Sequence, residues 1–361
     1  MAQIFNHTLH ILVFINPNQT HLLDGVNEIL LKDVKEKNKL LIYLSASDFN
    51  KFLEVEYSKG RLLKRLIFYP RIFSFIENQI IMASVNWDSE TIYIYSSEEG
   101  VWGVVINSIR EKIKKKVYTV NIQHGIFSLQ KTKFIFLRKL FNSFSRLIIG
   151  FPVIGLGFGG SKFDEYYVFG EKEKKHVLST AKNALLKINP EICRFSVLKT
   201  YKRKIGYKTG SADSSKNILF AMQPIITKLF FYNEETIYLK LEPLFRFFTE
   251  NDYKIIFRLH PGTLNKIHTF QLLKKSNLIN YIEIDENDDI SDSLILCDIV
   301  ISFFSTVLFD AYLLGKIPIM LTGFFKEFDF SSPLKRININ GNWQFEFQSI
   351  FNKISSNEEV K

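Results

Sequence analysis

Short apolar runs alternate along the chain with polar stretches of helical periodicity, from HILVFI (10–15) to IPIML (317–321). That alternation is the pattern of parallel strands joined by crossover helices. The spacing predicts strands at 10–15, 39–45, 80–85, 91–96, 117–123 and 165–170. A second series follows at 217–224, 253–261, 281–286, 298–303 and 317–321. Helices are predicted between them, at 25–38, 101–116, 171–191, 234–251, 265–277, 289–297 and 305–316. In the second of these, Val101, Val104, Val105, Ser108 and Ile109 recur at helical spacing, which lays one apolar face on a sheet.

The stretch 199–216 is low in apolar residues and rich in Gly, Ser and Lys, so it is expected to link two domains. The expected organisation is α/β throughout: an N-terminal Rossmann-like domain over 1–198, the linker, and a C-terminal Rossmann-like domain over 217–361. Two such lobes are the layout of an enzyme with a cleft between them, and the last helix is expected to pack back on the first lobe.

Composition agrees with this picture. At 361 residues the chain exceeds what one hydrophobic core usually organises, and 46% hydrophobic residues with 35 Phe make a globular composition. Lys and Arg number 47 against 37 Asp and Glu, a formal +10, which favours an anionic partner. Nucleic acid is not expected to be that partner: no RNP, helix-turn-helix or zinc pattern occurs, and REKIKKK (110–116) continues an amphipathic helix as its solvated face. Cys193 and Cys297 lie far apart and outside any CxxC pattern, so neither a disulfide nor a zinc site is expected. The N-terminus lacks the features of a signal peptide, and no window holds about 18 uninterrupted apolar residues. The nearest approach, 134–160, is broken by basic residues, Gly and Pro, so peripheral membrane contact through 131–160 is expected in place of a span. A cytoplasmic location follows, peripheral at the inner face of the cytoplasmic membrane.

Ligands of open parallel sheets bind beyond the carboxyl ends of the strands. Four predicted strand ends carry polar groups: SSEEG (96–100), QHG (123–125), HPG (260–262) and SFFST (302–306). Taken singly, each has an ordinary structural explanation: a solvated loop His, a strand-stopping Pro, a helix N-cap, a turn. Together they place imidazole, carboxylate and hydroxyl groups at the same sheet edges. In the second lobe, Ser302, Ser305 and Thr306 at a helix start, with Pro261 and Gly262 nearby, form a candidate phosphate site. His260 is expected to donate to that phosphate or to protonate a leaving group, since its pKa lies near working pH. Gln223, at the end of AMQP, is expected to face the donor. In the first lobe, Glu98 and Glu99 before Gly100 suit a general base, with Gln123 and His124 beside them. No metal or cofactor is expected; the acidic DENDD (285–289) is expected to be a solvated loop.

On these residues the chain resembles bacterial GT-B glycosyltransferases of surface polysaccharide synthesis, in particular sialyltransferases that use CMP-sialic acid. The resemblance rests on an acidic pair with Gly (Glu98-Glu99-Gly100), an HP step (His260-Pro261) and a serine followed by Ser or Thr (Ser305-Thr306). It implies a GT-B fold and metal-independent, inverting transfer of a sugar from CMP-sialic acid to an oligosaccharide or glycolipid of capsule or lipopolysaccharide. Glu99 would be the base, His260 would assist departure of CMP, and Ser305 with Thr306 would bind its phosphate. The chain is also similar to capsule and teichoic acid transferases, including CDP-glycerol glycerophosphotransferases, through the HG step at His124 and the HP step at His260. That second resemblance implies His124 as base and CDP-glycerol as donor.

Overall fold

The computed structural model describes residues 8–14, 20–43, 61–97, 101–123, 132–149, 160–181, 183–207, 216–223, 234–260, 266–287, 289–303, 305–324 and 334–356. The chain divides into two compact units, Met1–Ser196 and Val197–Lys361.

The first unit runs β1 (Thr8–Phe14), α1 (Thr20–Gly25), β2 (Lys39–Tyr43), α2 (Arg61–Asn86), β3 (Thr91–Ser96) and α3 (Val101–Lys112). It continues with β4 (Lys116–Ile122), α4 (Thr132–Ile149), β5 (Glu165–Val168), α5 (Glu171–Thr180) and β6 (Leu185–Ile188). Helix α6 (Pro190–Tyr207) contains the boundary between the units. The second unit holds β7 (Asn217–Ala221), α7 (Glu234–Glu250), β8 (Lys254–Arg258), α8 (Lys266–Lys275), β9 (Ile282–Ile284) and α9 (Ile290–Ile295). It closes with β10 (Ile299–Ser302), α10 (Val307–Leu313), β11 (Ile317–Thr322), β12 (Lys335–Asn338) and α11 (Trp343–Ser355).

Each unit is built on a six-stranded sheet, ordered β2-β1-β3-β4-β5-β6 in the first and β12-β11-β10-β7-β8-β9 in the second. Every strand pairing is parallel. Parallel sheets are covered on both faces, and the central strands show it: every residue of β7 and β10 is buried. In each unit the first strand is interior and the chain reverses direction across the sheet beside it. The switch point lies between β1 and β3 in the first unit and between β7 and β10 in the second.

Three departures from the sequence expectation have physical causes. The run at 80–85 is the end of α2, not a strand. Its apolar residues continue a helical period through Tyr69, Ile72, Phe73, Ile76, Ile80 and Ala83, all in the core, and leave Met82 and Val85 exposed. The helix expected over 171–191 is interrupted by β6, and β12 was not anticipated at all. Both are short edge strands whose side chains are mostly solvated; LLKI fits the period of the helix expected there, and KRIN carries no apolar run. Helix α6 also extends through Tyr207, into the stretch expected as linker. Helix α11 buries Phe347, Ile350 and Phe351 in the core of its own unit.

Close approach fixes one glycine. A Cβ on Gly25, at the end of α1, would stand 1.8 Å from the carbonyl oxygen of Ile192 on α6, so only glycine lets these backbones meet.

Candidate functional site

The carboxyl edge of the second sheet brings three of the expected loops together. Strand register aligns Ala221 with Arg258, and the ladder continues one step further, with the Met222 N–H donating to Arg258 O at 2.8 Å. On the other side of β7, the Ser302 hydroxyl donates to Ala221 O at 2.6 Å. Strands β10, β7 and β8 therefore end level with one another, and Gln223 and His260 each stand two residues past that line. Neighbouring strands are about 4.8 Å apart, so the chain leaving β10 and the chain leaving β8 emerge roughly 10 Å apart with Gln223 between them. This is the topological switch point of the unit, where an open sheet offers a crevice to a ligand.

His260 and Gln223 are both half-buried. Burial pushes the His260 imidazole below its ordinary pKa, so it is neutral at neutral pH. The expectation of a charged donor at His260 is thereby modified: burial favours the neutral ring.

The helix start after β10 differs from the expectation in detail. The Ser305 hydroxyl accepts the Val307 N–H at 3.3 Å, while the Leu308 N–H donates to Ser305 O at 3.2 Å and the Phe309 N–H to Thr306 O at 2.9 Å. First-turn N–H groups that were expected to face an anion are thus already bonded within the turn. Thr306 caps with its backbone alone; its side chain makes no capping hydrogen bond and is half-exposed. With seven residues α10 carries little macrodipole, so the polar resource here is the Thr306 hydroxyl. Ser302 is fully buried with its proton committed to Ala221 O, which makes it a seam between β7 and β10 and not a ligand donor.

One buried polar cluster was not expected from the sequence. Arg258, the last residue of β8, is buried, and its Nη1 donates to Asp285 Oδ2 at 2.7 Å, to Asn287 O at 2.8 Å and to Ser293 Oγ at 3.0 Å. The Ser293 hydroxyl also donates to Asp285 Oδ2, and Asp285 Oδ1 accepts the Asn287 N–H at 3.1 Å. Burial alone would raise the Asp285 carboxyl; hydrogen bonds from Ser293, Arg258 and Asn287 outweigh it and hold the pKa below the ordinary value. DENDD is therefore not simply solvated: Asp285 is buried in an ion pair, and Asp289 caps α9 by accepting the Ser291 N–H at 2.9 Å. The signal was present in IIFRL, because an arginine inside an apolar strand requires a buried partner.

In the first unit, β3 and β4 are neighbours, with Ser96 in register with Asn121. The expected residues Glu98, Glu99, Gly100 and His124 follow these strands in sequence and lie outside the described residues, as do Pro261 and Gly262 in the second unit. Gln123 is described. It is fully buried, and its Oε1 accepts the Phe169 N–H at 3.0 Å, joining the ends of β4 and β5, so its role is structural. Among the described residues no group of His, Cys, Asp and Glu is arranged to hold a metal ion, and no helix is long and apolar enough to cross a membrane.

Comparison with known proteins bears on the fold and on one segment. The model of a family described as CDP-Glycerol:Poly(glycerophosphate) glycerophosphotransferase matches residues 224–325, under a third of the chain, which include His260, Ser302, Ser305 and Thr306. No curated protein matches the chain in sequence. Among solved structures, UDP-GlcNAc 2-epimerase from Neisseria meningitidis bound to UDP-GlcNAc is similar, with a TM-score of 0.56 at 12% identity, covering 96% of this chain and 91% of that one. The UDP-GlcNAc 2-epimerase of Methanocaldococcus jannaschii gives 0.54 at 14% identity, covering 95% and 92%. An alpha,alpha-trehalose-phosphate synthase (UDP-forming) from Burkholderia vietnamiensis gives 0.51 at 9% identity, covering 95% and 91%. At these identities the likeness is one of fold: an α/β architecture of GT-B type, with two parallel six-stranded sheets.

Proposed function

We propose that this chain is a transferase that moves a group from a cytidine-nucleotide-activated donor onto a hydroxyl of a surface glycan or polymer, releasing CMP. The observation that carries the reading is the convergence of Gln223, His260 and Thr306 at the ends of three adjacent strands beside the switch point of the second unit. That edge falls largely within the segment similar to the glycerophosphotransferase family, which supports a cytidine nucleotide as the activated donor. The structurally similar epimerase that binds UDP-GlcNAc supports a nucleotide-activated substrate in this fold more generally.

Both donors suggested by sequence resemblance leave CMP behind, and the chemistry asked of the second unit is the same. With CDP-glycerol, the acceptor oxygen bonds to the glycerol-bearing phosphorus as the P–O bond to CMP breaks. With CMP-sialic acid, it bonds to the anomeric carbon as the C–O bond to CMP breaks, inverting that centre. In either case the acceptor proton passes to a base, and negative charge collects on the departing CMP phosphate. The Thr306 hydroxyl and the His260 N–H are donors for that charge, and a site with reduced water access strengthens each bond. The reading invokes no metal. The family similarity favours CDP-glycerol as donor, for which the sequence resemblance through the HG step implies His124 as base; the pair Glu98-Glu99 before Gly100 is the feature that keeps CMP-sialic acid, with Glu99 as base, as the second reading.

The test is a calorimetric titration of CMP, CDP, UDP and ADP into the protein and into His260→Ala. Preference for the cytidine nucleotides, weakened roughly tenfold or more in the variant, is expected from the loss of a hydrogen bond to a charged group. Equal affinity for all four nucleotides, or no change in the variant, contradicts the proposal. Release of CMP from CDP-glycerol against CMP-sialic acid then separates the donors.

A further inference from the structure

Helix α4 is built inside out. A surface helix normally turns its apolar stripe to the core and its polar face to water. Here Phe136, Leu137, Leu140, Phe141, Phe144 and Leu147 form one stripe at helical spacing and all are exposed, Phe136 at 67% and Leu147 at 84%. Among the described side chains of the helix the buried ones are polar, Asn142 and Ser145, with the Ser145 hydroxyl donating to Asn142 O at 3.0 Å. Six large apolar side chains open several hundred Å² of contiguous surface, a patch at or above the size that soluble monomers leave uncovered.

Charge says what covers it. Residues 112–163 contain ten Lys or Arg and no Asp or Glu, so this one stretch carries a charge equal to the net +10 of the whole chain. Four of those basic residues, Lys133, Arg138, Lys139 and Arg146, are on α4 itself. Lys139 is half-buried beside the stripe, and desolvation, together with the nearby charge of Lys162, lowers its pKa; Arg138 lies toward the side of Asn142 and Ser145. A protein partner or a second copy would satisfy the apolar stripe. It would gain nothing from the cations of a helix that holds no Asp or Glu unless it were itself strongly acidic, and two copies would repel. An anionic lipid surface satisfies both features, taking the side chains among its acyl chains and the cations among its phosphates. Helix α4 is about 27 Å long at 1.5 Å per residue, but with four cations it cannot cross the hydrocarbon; it can lie in the interface.

We infer that α4 docks this protein on anionic phospholipid, with Phe136, Leu140, Phe144 and Leu147 inserted and Lys139 at headgroup level. The inference does not rest on the transferase reading.

The experiment is flotation of the full chain with vesicles of phosphatidylcholine alone or containing phosphatidylglycerol, for the parent, Leu140→Ser/Phe144→Ser and Lys139→Glu. These side chains are exposed or on the rim, and an unchanged thermal melt verifies that each variant folds. Binding is expected to rise at least about tenfold with phosphatidylglycerol, and to fall about tenfold in the double variant and severalfold in Lys139→Glu or at high salt. Equal flotation of parent and double variant overturns the inference. So does a concentration-dependent dimer abolished by Leu140→Ser/Phe144→Ser without vesicle binding, which would identify a second copy as the occupant. Nucleotide titration of the same variants reports separately on the second unit.

Discussion

Arg258 Nη1 and Asp285 Oδ2 stand 2.7 Å apart in a buried ion pair that ties the end of β8 to the loop after β9, two residues before His260. Removing one partner strands the other charge out of water, which costs about 3–5 kcal/mol. Arg258→Ala or Asp285→Asn is therefore expected to lower stability by that order in urea unfolding, and to weaken nucleotide binding by loosening the strand end that carries His260. A double variant should cost less than the sum of the two. Additive losses would mean that the two side chains do not act as a pair.

His260 is held neutral by burial, and a bound phosphate would pull its pKa back up. Nucleotide binding should then take up a proton, and affinity for CMP should strengthen as pH falls from 8 toward 6. Calorimetry in buffers of different ionisation enthalpy measures the uptake. The nucleotide's own phosphate titrates in this range too, so the decisive quantity is the part of the uptake that disappears in His260→Asn.

The hydroxyls after β10 should separate by role. Ser302→Ala removes a fully buried bond to Ala221 O, and Ser305→Ala removes the acceptor of the Val307 N–H. Each is expected to cost about 1 kcal/mol of stability in urea unfolding. Thr306→Val should leave stability almost unchanged and weaken cytidine nucleotide binding severalfold. A Thr306→Val protein that binds nucleotide normally would remove Thr306 from the site.

His10, on β1, is 4% exposed, stacks on Tyr93 and Tyr95, and has Nδ1 at 3.1 Å from the Tyr95 hydroxyl. Burial first, and then the charge of Lys39, push its pKa down to about 4. In the unfolded chain the ring takes a proton near pH 6.5, whereas the folded ring resists until about 4. The unfolded state therefore binds more protons between these values, and stability is lost as pH falls through that window. The loss attributable to His10 is about 3 kcal/mol at full protonation. Urea midpoints at pH 7 and pH 4.5 should differ less in His10→Phe than in the parent.

The base of the transfer is identified by pairing Glu99→Gln with His124→Ala under saturating donor. Whichever carries the role should lower the rate of CMP release by 10²-fold or more while leaving CMP affinity near that of the parent. If both variants turn over normally, neither residue is the base.

The fold class was legible because buried parallel strands must be apolar and their crossover helices amphipathic, so β1, β3, β4, β7, β8 and β10 announce themselves. Edge strands β6 and β12 do not: one face and one side meet water, and their sequences LLKI and KRIN read as anything. Candidate site residues were legible as types at strand ends, His260 and Thr306 among them. Their states were not. Nothing local to HPG says that His260 is neutral, and nothing local to SFFST says that Ser302 bonds to Ala221 while Thr306 stays uncommitted.

Sequence alone determined that this chain makes two α/β units and that imidazole and hydroxyl groups stand where strands end, because periodicity and strand-end chemistry are local properties. The tertiary structure decided which strand lies beside which, and so which of those groups meet. It made β7 the neighbour of both β8 and β10, paired Arg258 with an aspartate 27 residues away, and turned the apolar side of α4 outward. Those outcomes depend on contacts between residues distant in the chain, where desolvation decides whether a charge is neutralised, paired or left facing water.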